Sequence, residues 1–308
     1  MNFKQLRYFL AVAEEGSFSA ASRQVRIAQP ALSGHIATLE DELGVKLFER
    51  SNRGVRTTSQ GRRLAEHARN ILRQMENARS DVSGDTSDPG GEVMIAIPFT
   101  AAYLLAGEVI ARVEQAFPRI TLKIFEGLSH SAGDIMGSGK VDLGVVPNAA
   151  EIDNLDAQPL FLEDLYLVGK WDGSGPLEGE VAFADLTQYP LGLGSRLWNL
   201  RRTIEQTALS AGVQLNIRYE VPGTESLISM IKQGLCCTIT NWAGVQRHLR
   251  HDEFFALKIV SPQMQRTIAL AWPKDRPMTD AVEGVRAILR EVLLEKVRNG
   301  EWRAELLD

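Results

Sequence analysis

A run of nine small, polar or helix-breaking residues, Ser83-Gly84-Asp85-Thr86-Ser87-Asp88-Pro89-Gly90-Gly91, separates two regions of different pattern. Before this run the apolar residues recur at helical spacing, and after it strand-like runs such as EVMIAIP alternate with helical segments. Such a run is typical of a hinge or linker. The sequence therefore predicts a helical N-terminal region and a larger α/β region with mostly parallel sheets.

The two regions carry charges of opposite sign. The whole chain of 308 residues has a net charge of −5. Residues 1–80 hold 13 Lys+Arg and 8 Asp+Glu, a net +5, and the rest holds 21 and 31, a net −10. A basic region on an acidic body predicts that only the N-terminal region contacts a polyanion.

The sequence has no feature of a secreted or membrane protein. No apolar run approaches the roughly 18 residues that a membrane span needs, and the N-terminus lacks the layout of a signal peptide. The two cysteines, Cys236 and Cys237, are adjacent in an apolar stretch. We expect a cytoplasmic protein that contacts no membrane, with both cysteines buried as small hydrophobes rather than acting as a redox sensor.

The N-terminal region has the spacing of a helix-turn-helix. Asn2 can cap a first helix that ends near Gly16, and Ser17 can cap a second. Pro30 would lie in the first turn of a third helix that ends at Gly44 and buries a stripe of apolar residues: Ala31, Leu32, Ile36 and Leu39. Such a third helix presents its N-terminal polar residues to the DNA major groove. A plain three-helix bundle fits the spacing equally well.

The candidate DNA-binding residues lie on the third helix and in the basic stretch that follows it. Gln29, Ser33 and His35 would point outward from the helix. Arginines surround a Ser-Asn-Arg-Gly turn in residues 46–63, as expected of a wing that contacts phosphates or the minor groove. A solvated basic loop is the alternative. The full candidate set is Gln29, Pro30, Ser33, Gly34, His35, Arg50, Arg53 and Arg56.

The N-terminal region resembles that of the LysR-type transcriptional regulators. The stretches IAQPALS, IATLE and HARNILRQ are similar to the nitrogen assimilation control subgroup of that family. The family often has a long polar or basic side chain at the position of Gly34, so glycine removes one base reader here. The resemblance is carried by Leu6, Phe9, Ala20-Ala21, Gln29-Pro30-Ala31-Leu32-Ser33, Ile36, Leu39-Glu40, Leu43-Gly44, Leu47-Phe48, Arg50 and Arg53.

A long helix is predicted from Ser59 to about Val82. About 24 residues would span roughly 36 Å. Such a helix pairs with a copy of itself or packs against its own domain, and the resemblance implies an antiparallel linker-helix dimer. A homodimer or homotetramer would then bind a roughly two-fold symmetric operator. The apolar stripe consists of Leu64, Ala68, Ile71, Leu72, Met75, Ala78 and Val82.

The C-terminal region is expected to form two Rossmann-like lobes, which the resemblance likens to a type 2 periplasmic binding protein. Ligands of such folds bind at strand C-termini and helix N-termini. We expect a small carboxylate-type effector, although Thr100 and Ser195 could equally be plain N-caps, and regulators of this family can act without a coinducer. The candidate effector-binding residues are Phe99, Thr100, Ser129, Asn148, Ser195 and Arg196.

The predicted fold class is an α+β multidomain protein. A winged helix-turn-helix would occupy residues 1–58, a linker helix and hinge 59–91, and a two-lobed α/β effector domain 92–308. Lobe I would comprise about 92–162 and 267–308, and lobe II about 163–266.

The predicted function is that of a sequence-specific transcriptional regulator. Its expected partners are double-stranded DNA, further copies of the chain, the effector and RNA polymerase. We predict no catalytic residue, metal or cofactor, since the GSGK stretch at 137–140 lacks the earlier glycine and the Ser/Thr of a phosphate loop. The alternatives are an enzyme acting on the bound anion and a solute-binding module whose N-terminal region is an adaptor that binds no DNA.

Overall fold

The computed structural model describes residues 1–51, 54–83, 88–127, 132–196, 198–249 and 253–307. The chain divides into two compact units, Met1–Asp85 and Thr86–Asp308, here called the N-terminal and C-terminal units. Over the described ranges, none of the helices combines the length and apolar character that crossing a bilayer requires.

The N-terminal unit consists of three short helices, a hairpin and a long helix. Asn2 forms a capping box with Gln5, since Asn2 Oδ1 accepts from Gln5 N at 3.0 Å and Gln5 Oε1 accepts from Asn2 N at 2.9 Å. The predicted ends at Gly16 and Gly44 are confirmed, as both adopt the left-handed conformation. The elements are α1 (Phe3–Glu15), α2 (Phe18–Gln24), α3 (Gln29–Leu43), β1 (Phe48–Ser51), β2 (Gly54–Thr57) and α4 (Ser59–Ser83).

The core of the N-terminal unit forms where α1, α2 and α3 meet the hairpin and the start of α4. Phe9 of α1 is fully buried, and its ring lies 5.2 Å from that of Phe48 on β1. The predicted stripe of α3 is confirmed at Leu32, Ile36 and Leu39, which are all buried. It is wrong for Ala31, which is exposed because it lies on the other side of the first helical turn.

The C-terminal unit contains six α-helices, two short 3-10 helices and eleven strands in the described residues. A single strand of 16 residues, β6, is long enough to take part in both lobes. The elements are β3 (Gly91–Ile97), α5 (Phe99–Ala116), β4 (Ile120–Glu126), α6 (Ala132–Gly137), β5 (Leu143–Pro147), β6 (Leu155–Lys170), β7 (Glu178–Ala182), β8 (Leu191–Leu193), α7 (Asn199–Ala211), β9 (Ile217–Glu220), α8 (Thr224–Lys232), β10 (Thr238–Asn241), α9 (Trp242–Leu249), β11 (Phe254–Val260), β12 (Gln265–Pro273), α10 (Asp280–Arg298) and β13 (Ala304–Leu306).

Lobe I is built on the sheet order β4-β3-β5-β12-β6, with β13 also pairing with β6. Strand β3 is parallel to β4 and β5, whereas β12 is antiparallel to both β5 and β6. Helices α5 and α10 cover the sheet, and their apolar residues form its main core with Phe161 and Trp302.

Lobe II is built around the second half of β6. Strands β10 and β11 flank it, both antiparallel, and β7 is parallel to β11. Strands β8 and β9 form a parallel pair that a bridge between Leu191 and Cys237 connects to this sheet. The prediction of mostly parallel sheets is therefore wrong. The chain passes between the lobes along β6 and returns along β12, and these neighbouring strands run in opposite directions.

Candidate functional site

The exposed face of α3 has two edges. Gln29 and Pro30 are exposed in the first turn, and Ser33 is half-buried beside them. His35 is two positions further on, which places it about 160° around the helix from Ser33. Its ring lies against that of Tyr8 on α1, with the centroids 5.1 Å apart. Ser33 and His35 therefore border opposite edges of the exposed face, a division that the sequence prediction did not make.

Gly34 lies on the exposed face itself. A Cβ atom built at this position meets nothing within 4 Å, and its carbonyl accepts from Thr38 Oγ1 at 3.0 Å. Among the described residues, no neighbour requires glycine at this position. The absence of a side chain at Gly34 therefore affects the shape of the exposed face and not the packing of α3.

The hairpin β1–β2 forms the predicted wing. Arg56 is exposed and pairs in register with Glu49. Arg50 lies in β1, but its side chain and all of Arg53 lie outside the described residues. Val55 N donates to Gly16 O at 2.9 Å, which fixes the hairpin to the end of α1. Arg56 is thus the wing arginine whose position is described.

A buried carboxylate that the sequence prediction did not assign fixes α3 to the wing. Glu40 is 8% exposed and accepts from Leu47 N (2.8 Å), Phe48 N (3.3 Å) and Lys46 Nζ (2.7 Å). Burial opposes its negative charge, but these hydrogen bonds outweigh burial and lower the pKa of Glu40. Its position beside Leu39, on the buried face of α3, was the available signal.

The start of α4 carries further exposed arginines. Thr58 accepts from Gly61 N and donates to Lys46 O, at 2.9 and 2.8 Å. Arg62 donates to the Thr57 carbonyl at the end of the wing, and Arg63 is exposed. These contacts place a second basic group directly after the hairpin.

The predicted helix over Ser59 to about Val82 is confirmed, because α4 runs for 25 residues. Its first half is buried against the unit, as at Ala68. Further along, Ile71, Ala78 and Val82 are exposed, the last at 88%. Three residues of the apolar stripe are therefore exposed, whereas Leu72 and Met75 are half-buried.

A cavity of about 570 Å³ opens between the two lobes of the C-terminal unit. Residues in the first turns of three helices line it: Thr100 of α5, Asn199 of α7 and Thr224 of α8. The first N–H groups of a helix have no acceptor within the helix, and they carry partial positive charge. The cavity is therefore suited to an anion.

Two nearly buried arginines also line the cavity. Arg201 is 3% exposed; its Nε donates to Glu205 at 2.9 Å and its Nη1 to the Gly194 carbonyl at 3.2 Å. Arg266 is 8% exposed and forms an ion pair with the fully buried Glu163. The sequence prediction missed both arginines. The one local signal was that Arg201 lies in the first turn of a helix.

Two of the predicted effector-binding residues line the cavity, namely Phe99 and Thr100. Helix α7 begins at Asn199 rather than at Ser195, so Ser195 and Arg196 precede it and are absent from the described cavity lining. Arg196 instead lies 3.5 Å from a carboxylate oxygen of Glu205.

Asn148 and Ser129 complete the predicted set. Asn148 is also absent from the described lining, because its Oδ1 accepts from Thr267 N at 3.1 Å and ties β5 to β12. Ser129 lies outside the described residues. The N-cap alternative for Thr100 and Ser195 is wrong, since Pro98 and Trp198 occupy the N-cap positions of α5 and α7.

The walls of the cavity combine apolar and polar residues. Trp198, Leu193 and Leu227 contribute from lobe II, and Val146 and Ile152 from lobe I. Two acidic residues of lobe I, Glu151 and Asp153, also belong to the lining. An anion that fits would combine a small charged group with an apolar body.

The two cysteines are buried, as predicted. Burial raises the pKa of the Cys237 thiol to about 12 and also raises that of Cys236. A thiol needs its thiolate form to react, so these surroundings make both cysteines poor nucleophiles. Within the described parts of the chain, no group of three or more His, Cys, Asp or Glu side chains is placed to hold a metal ion.

Comparison with known families and proteins gives a consistent result. Residues 3–62 match the family of bacterial regulatory helix-turn-helix proteins of the lysR family, and residues 86–294 match the LysR substrate binding domain. The hydrogen peroxide-inducible genes activator of Pectobacterium carotovorum subsp. carotovorum is 30% identical over 94% of this chain and 96% of its own length. The nitrogen assimilation regulatory protein nac of Klebsiella aerogenes is 28% identical over 94% of each chain.

Solved structures share the fold over nearly the whole chain. Full-length CbnR complexed with its target DNA has a TM-score of 0.68 at 22% identity, covering 95% of this chain and 100% of that one. A full-length OxyR variant from Pseudomonas aeruginosa has a TM-score of 0.67 at 22% identity, covering 95% of this chain and 97% of that one.

Proposed function

This chain belongs to the LysR family of DNA-binding transcriptional regulators with an effector-binding domain, and we propose that a small organic anion held between its lobes controls operator binding by a dimer or tetramer. The observation that carries the proposal is the convergence of three helix starts and two nearly buried arginines on one cavity. The apolar part of the walls favours an anion with an apolar body. The cavity is proposed to bind its ligand without converting it.

DNA reading is proposed for the face of α3 that Gln29 and Ser33 border. Gln29, Pro30 and Gly34 are exposed there, and Gly34 leaves room for close approach of a base pair or its methyl group. His35 is proposed to contact DNA only at the opposite edge, since its ring packs against Tyr8. Arg56 is proposed to contact phosphates, together with Arg50 and Arg53 of the wing.

Self-association is proposed to occur through α4. The exposed residues Ile71, Ala78 and Val82 supply an apolar surface that a second α4 would cover. Pairing would place two copies of α3 on one axis, as a two-fold symmetric operator requires. The DNA complex of CbnR supports the expectation that a chain of this fold binds duplex DNA.

A peroxide-sensing role is not favoured, although several relatives are named for hydrogen peroxide. Peroxide oxidises thiolates in preference to thiols. Both cysteines here are buried, and burial raises the pKa of Cys237 to about 12, so less than about 0.1% of this thiol is ionised at pH 8. These properties support an organic ligand in the cavity over oxidation as the signal.

The test uses full-length protein and the DNA upstream of its own gene. Fluorescence anisotropy should give at least about 100-fold tighter binding to this DNA than to random duplex at moderate salt. Ser33→Ala should reduce the preference for upstream DNA more than it reduces binding to random duplex. Equal affinity of the wild type for both duplexes would contradict operator recognition.

The ligand arm of the test measures the effect of carboxylates on the same complex. Benzoate, as a carboxylate with an apolar body, should raise the melting temperature of the C-terminal unit and alter the DNA footprint. Arg218→Gln, an exposed arginine outside the cavity lining, is the control and should respond like the wild type. Binding of carboxylates that left the footprint unchanged would contradict control of DNA binding by the cavity.

A further inference from the structure

A fully buried carboxylate, Glu163, lies on β6 close to the point where this strand passes from lobe I to lobe II. Arg266 Nε donates to one of its oxygens. Asn241 Nδ2 and Trp302 Nε1 donate to the other, at 3.0 and 2.7 Å. The three donors are themselves buried, at 8%, 0% and 1% exposed. Removing one donor from such a network leaves charge uncompensated in a low-dielectric interior.

The three donors come from separate parts of the C-terminal unit. Arg266 belongs to β12 and is the direct register partner of Glu163. Asn241 ends β10, which pairs with the lobe II half of β6. Trp302 lies between α10 and β13, and Ala304 of β13 pairs with Glu163 from the other side of β6. The carboxylate therefore joins both lobes and the C-terminal segment.

The C-terminal segment, residues 301–307, pairs with β6 at Phe161–Glu163 and reaches lobe II through the side chain of Arg303. Trp302 packs edge-on against Phe161, with ring centroids 5.1 Å apart. The next residue, Arg303, binds both carboxylate oxygens of Glu178 on β7, at 2.7 and 3.1 Å. Its guanidinium also lies 3.5 Å from the ring centroid of Trp242. The segment thus connects the lobe I sheet to the far strand of lobe II.

One member of the network also faces the cavity. Arg266 lines the cavity while its Nε is bound to Glu163. A guanidinium is planar with five donors in fixed directions, so fixing Nε sets the directions of the others. The orientation that Arg266 offers a ligand therefore depends on how Glu163 is held.

We infer that Glu163 is a positioning residue for ligand recognition: it orients Arg266 in the cavity, and Trp302 of the C-terminal segment holds Glu163 in place. This inference rests on the proposed binding of an anion in the cavity. A positioning carboxylate and a simple counter-ion of Arg266 predict opposite changes in ligand affinity when Glu163 is replaced. Removing a simple counter-ion strengthens anion binding by Coulomb attraction, whereas removing a positioning residue weakens it because Arg266 must be ordered by the ligand.

The first experiment titrates full-length protein with benzoate by calorimetry. Glu163→Gln keeps the side-chain shape and removes the charge, and we expect the Kd to rise about tenfold. Trp302→Phe keeps an aromatic ring against Phe161 and removes only the N–H donor, and we expect a rise of about threefold. Trp272→Phe is the matched control, a half-buried lobe I tryptophan that packs on Arg286, and should stay within about twofold of wild type.

The second experiment needs no ligand. In protein labelled with ¹⁵N-arginine, the Nε–H signal of Arg266 is identified by its loss in Arg266→Lys. We expect slow exchange of this proton with water in the wild type, faster exchange in Trp302→Phe and Glu163→Gln, and no change in Trp272→Phe. This readout reports how often the hydrogen bond from Arg266 Nε to Glu163 opens, which a general loss of stability distributed over the unit would not single out.

The outcomes separate the inference from the proposal on which it rests. Tighter benzoate binding by Glu163→Gln, or an unchanged Arg266 signal in Trp302→Phe, would overturn the positioning role while the anion site stands. Failure of wild-type protein to bind benzoate, or equal binding by Arg201→Gln, would overturn the proposed anion site itself. Weaker binding in both network variants together with the altered Arg266 signal would support the inference.

Discussion

Helices α3 and α5 begin in similar ways but in different surroundings. Neither has a side-chain cap, and each has a proline at its start, Pro30 within α3 and Pro98 at the N-cap of α5. Both therefore present N–H groups without acceptors in the helix and the positive end of a dipole. At α3 the start is exposed, whereas at α5 Thr100 is half-buried and lines a cavity of about 570 Å³.

The difference shows how surroundings decide which anion a helix start can take. An exposed start can accept a phosphate of a long duplex, while an enclosed start selects by volume. The arginines follow the same division, since Arg56 of the wing is exposed and Arg201 of the cavity is 3% exposed. Exposed charges are screened by salt and buried ones much less so. We therefore expect salt-sensitive contacts in the N-terminal unit and a few strong contacts in the cavity.

The largest expected effect tests the cavity between the lobes. Arg201→Gln should weaken benzoate binding by about 10- to 100-fold, because hydrogen bonds to charged groups contribute about 1.5–3 kcal/mol. DNA binding without benzoate should be unchanged. Calorimetry measures the first quantity and anisotropy the second. Loss of both benzoate binding and DNA binding would contradict the description of the cavity and the DNA-binding face as separate sites.

The next effect tests the contact that holds α3 and the wing of the N-terminal unit together. Glu40→Ala should destabilise the N-terminal unit by about 2 kcal/mol, because the amides of Leu47 and Phe48 lose a charged acceptor. The five tryptophans, the first at Trp171, all lie in the C-terminal unit. Far-UV circular dichroism should therefore show an early loss of helix, while tryptophan fluorescence keeps its wild-type transition. A shift of the fluorescence transition would contradict this assignment.

Glu40 also makes the stability of the N-terminal unit depend on pH in the acid range. Its pKa is lower in the folded chain than the ordinary value of 4.5, so its stabilisation is complete above about pH 4.5 and is lost as the pH falls through the lowered pKa. Glu40→Gln cannot titrate and should show less acid-side loss of helix than the wild type. Identical acid curves for the two proteins would count against the lowered pKa.

A smaller effect tests the proposed phosphate contact of Arg56 on the wing. Arg56→Ala should weaken binding to every duplex and reduce the slope of log K against log salt by about 0.9, the value for one phosphate contact. Arg298→Ala removes an exposed arginine of α10 and serves as the control. A loss confined to one DNA sequence would instead make Arg56 a base reader.

The smallest effect concerns the surface of α3. Gly34→Ala should stabilise the N-terminal unit by about 0.5–1 kcal/mol, because alanine is the better helix former and its Cβ meets no neighbour. Circular dichroism in urea measures the gain. DNA affinity should fall if bases approach this face closely, and an unchanged affinity would indicate that Gly34 lies outside the contact.

The prediction from sequence was most accurate where neighbouring residues decide the structure. Asn2, Ser17 and Gly44 begin or end helices through contacts a few residues away, and the α4 stripe follows from helical spacing alone. It was less accurate for the sheets of the C-terminal unit, which were predicted to be mostly parallel but contain antiparallel pairs along β6 and β12. The alternative of an N-cap at Ser195 is also wrong, because the Gly-Ser-Arg run before Asn199 resembles a helix start without being one.

The sequence by itself determined the boundaries in this protein: the run of helix-breaking residues from Ser83 to Gly91, the helix caps and the long α4 helix. It also contains the residues that resemble the LysR family. Only the tertiary structure decided which charges are enclosed. Glu163 meets Arg266 and Trp302 across 103 and 139 residues of chain, and Arg201 becomes a cavity residue only when the lobes fold together. Local spacing cannot encode such contacts, because burial and ion pairing depend on which distant elements pack against each other.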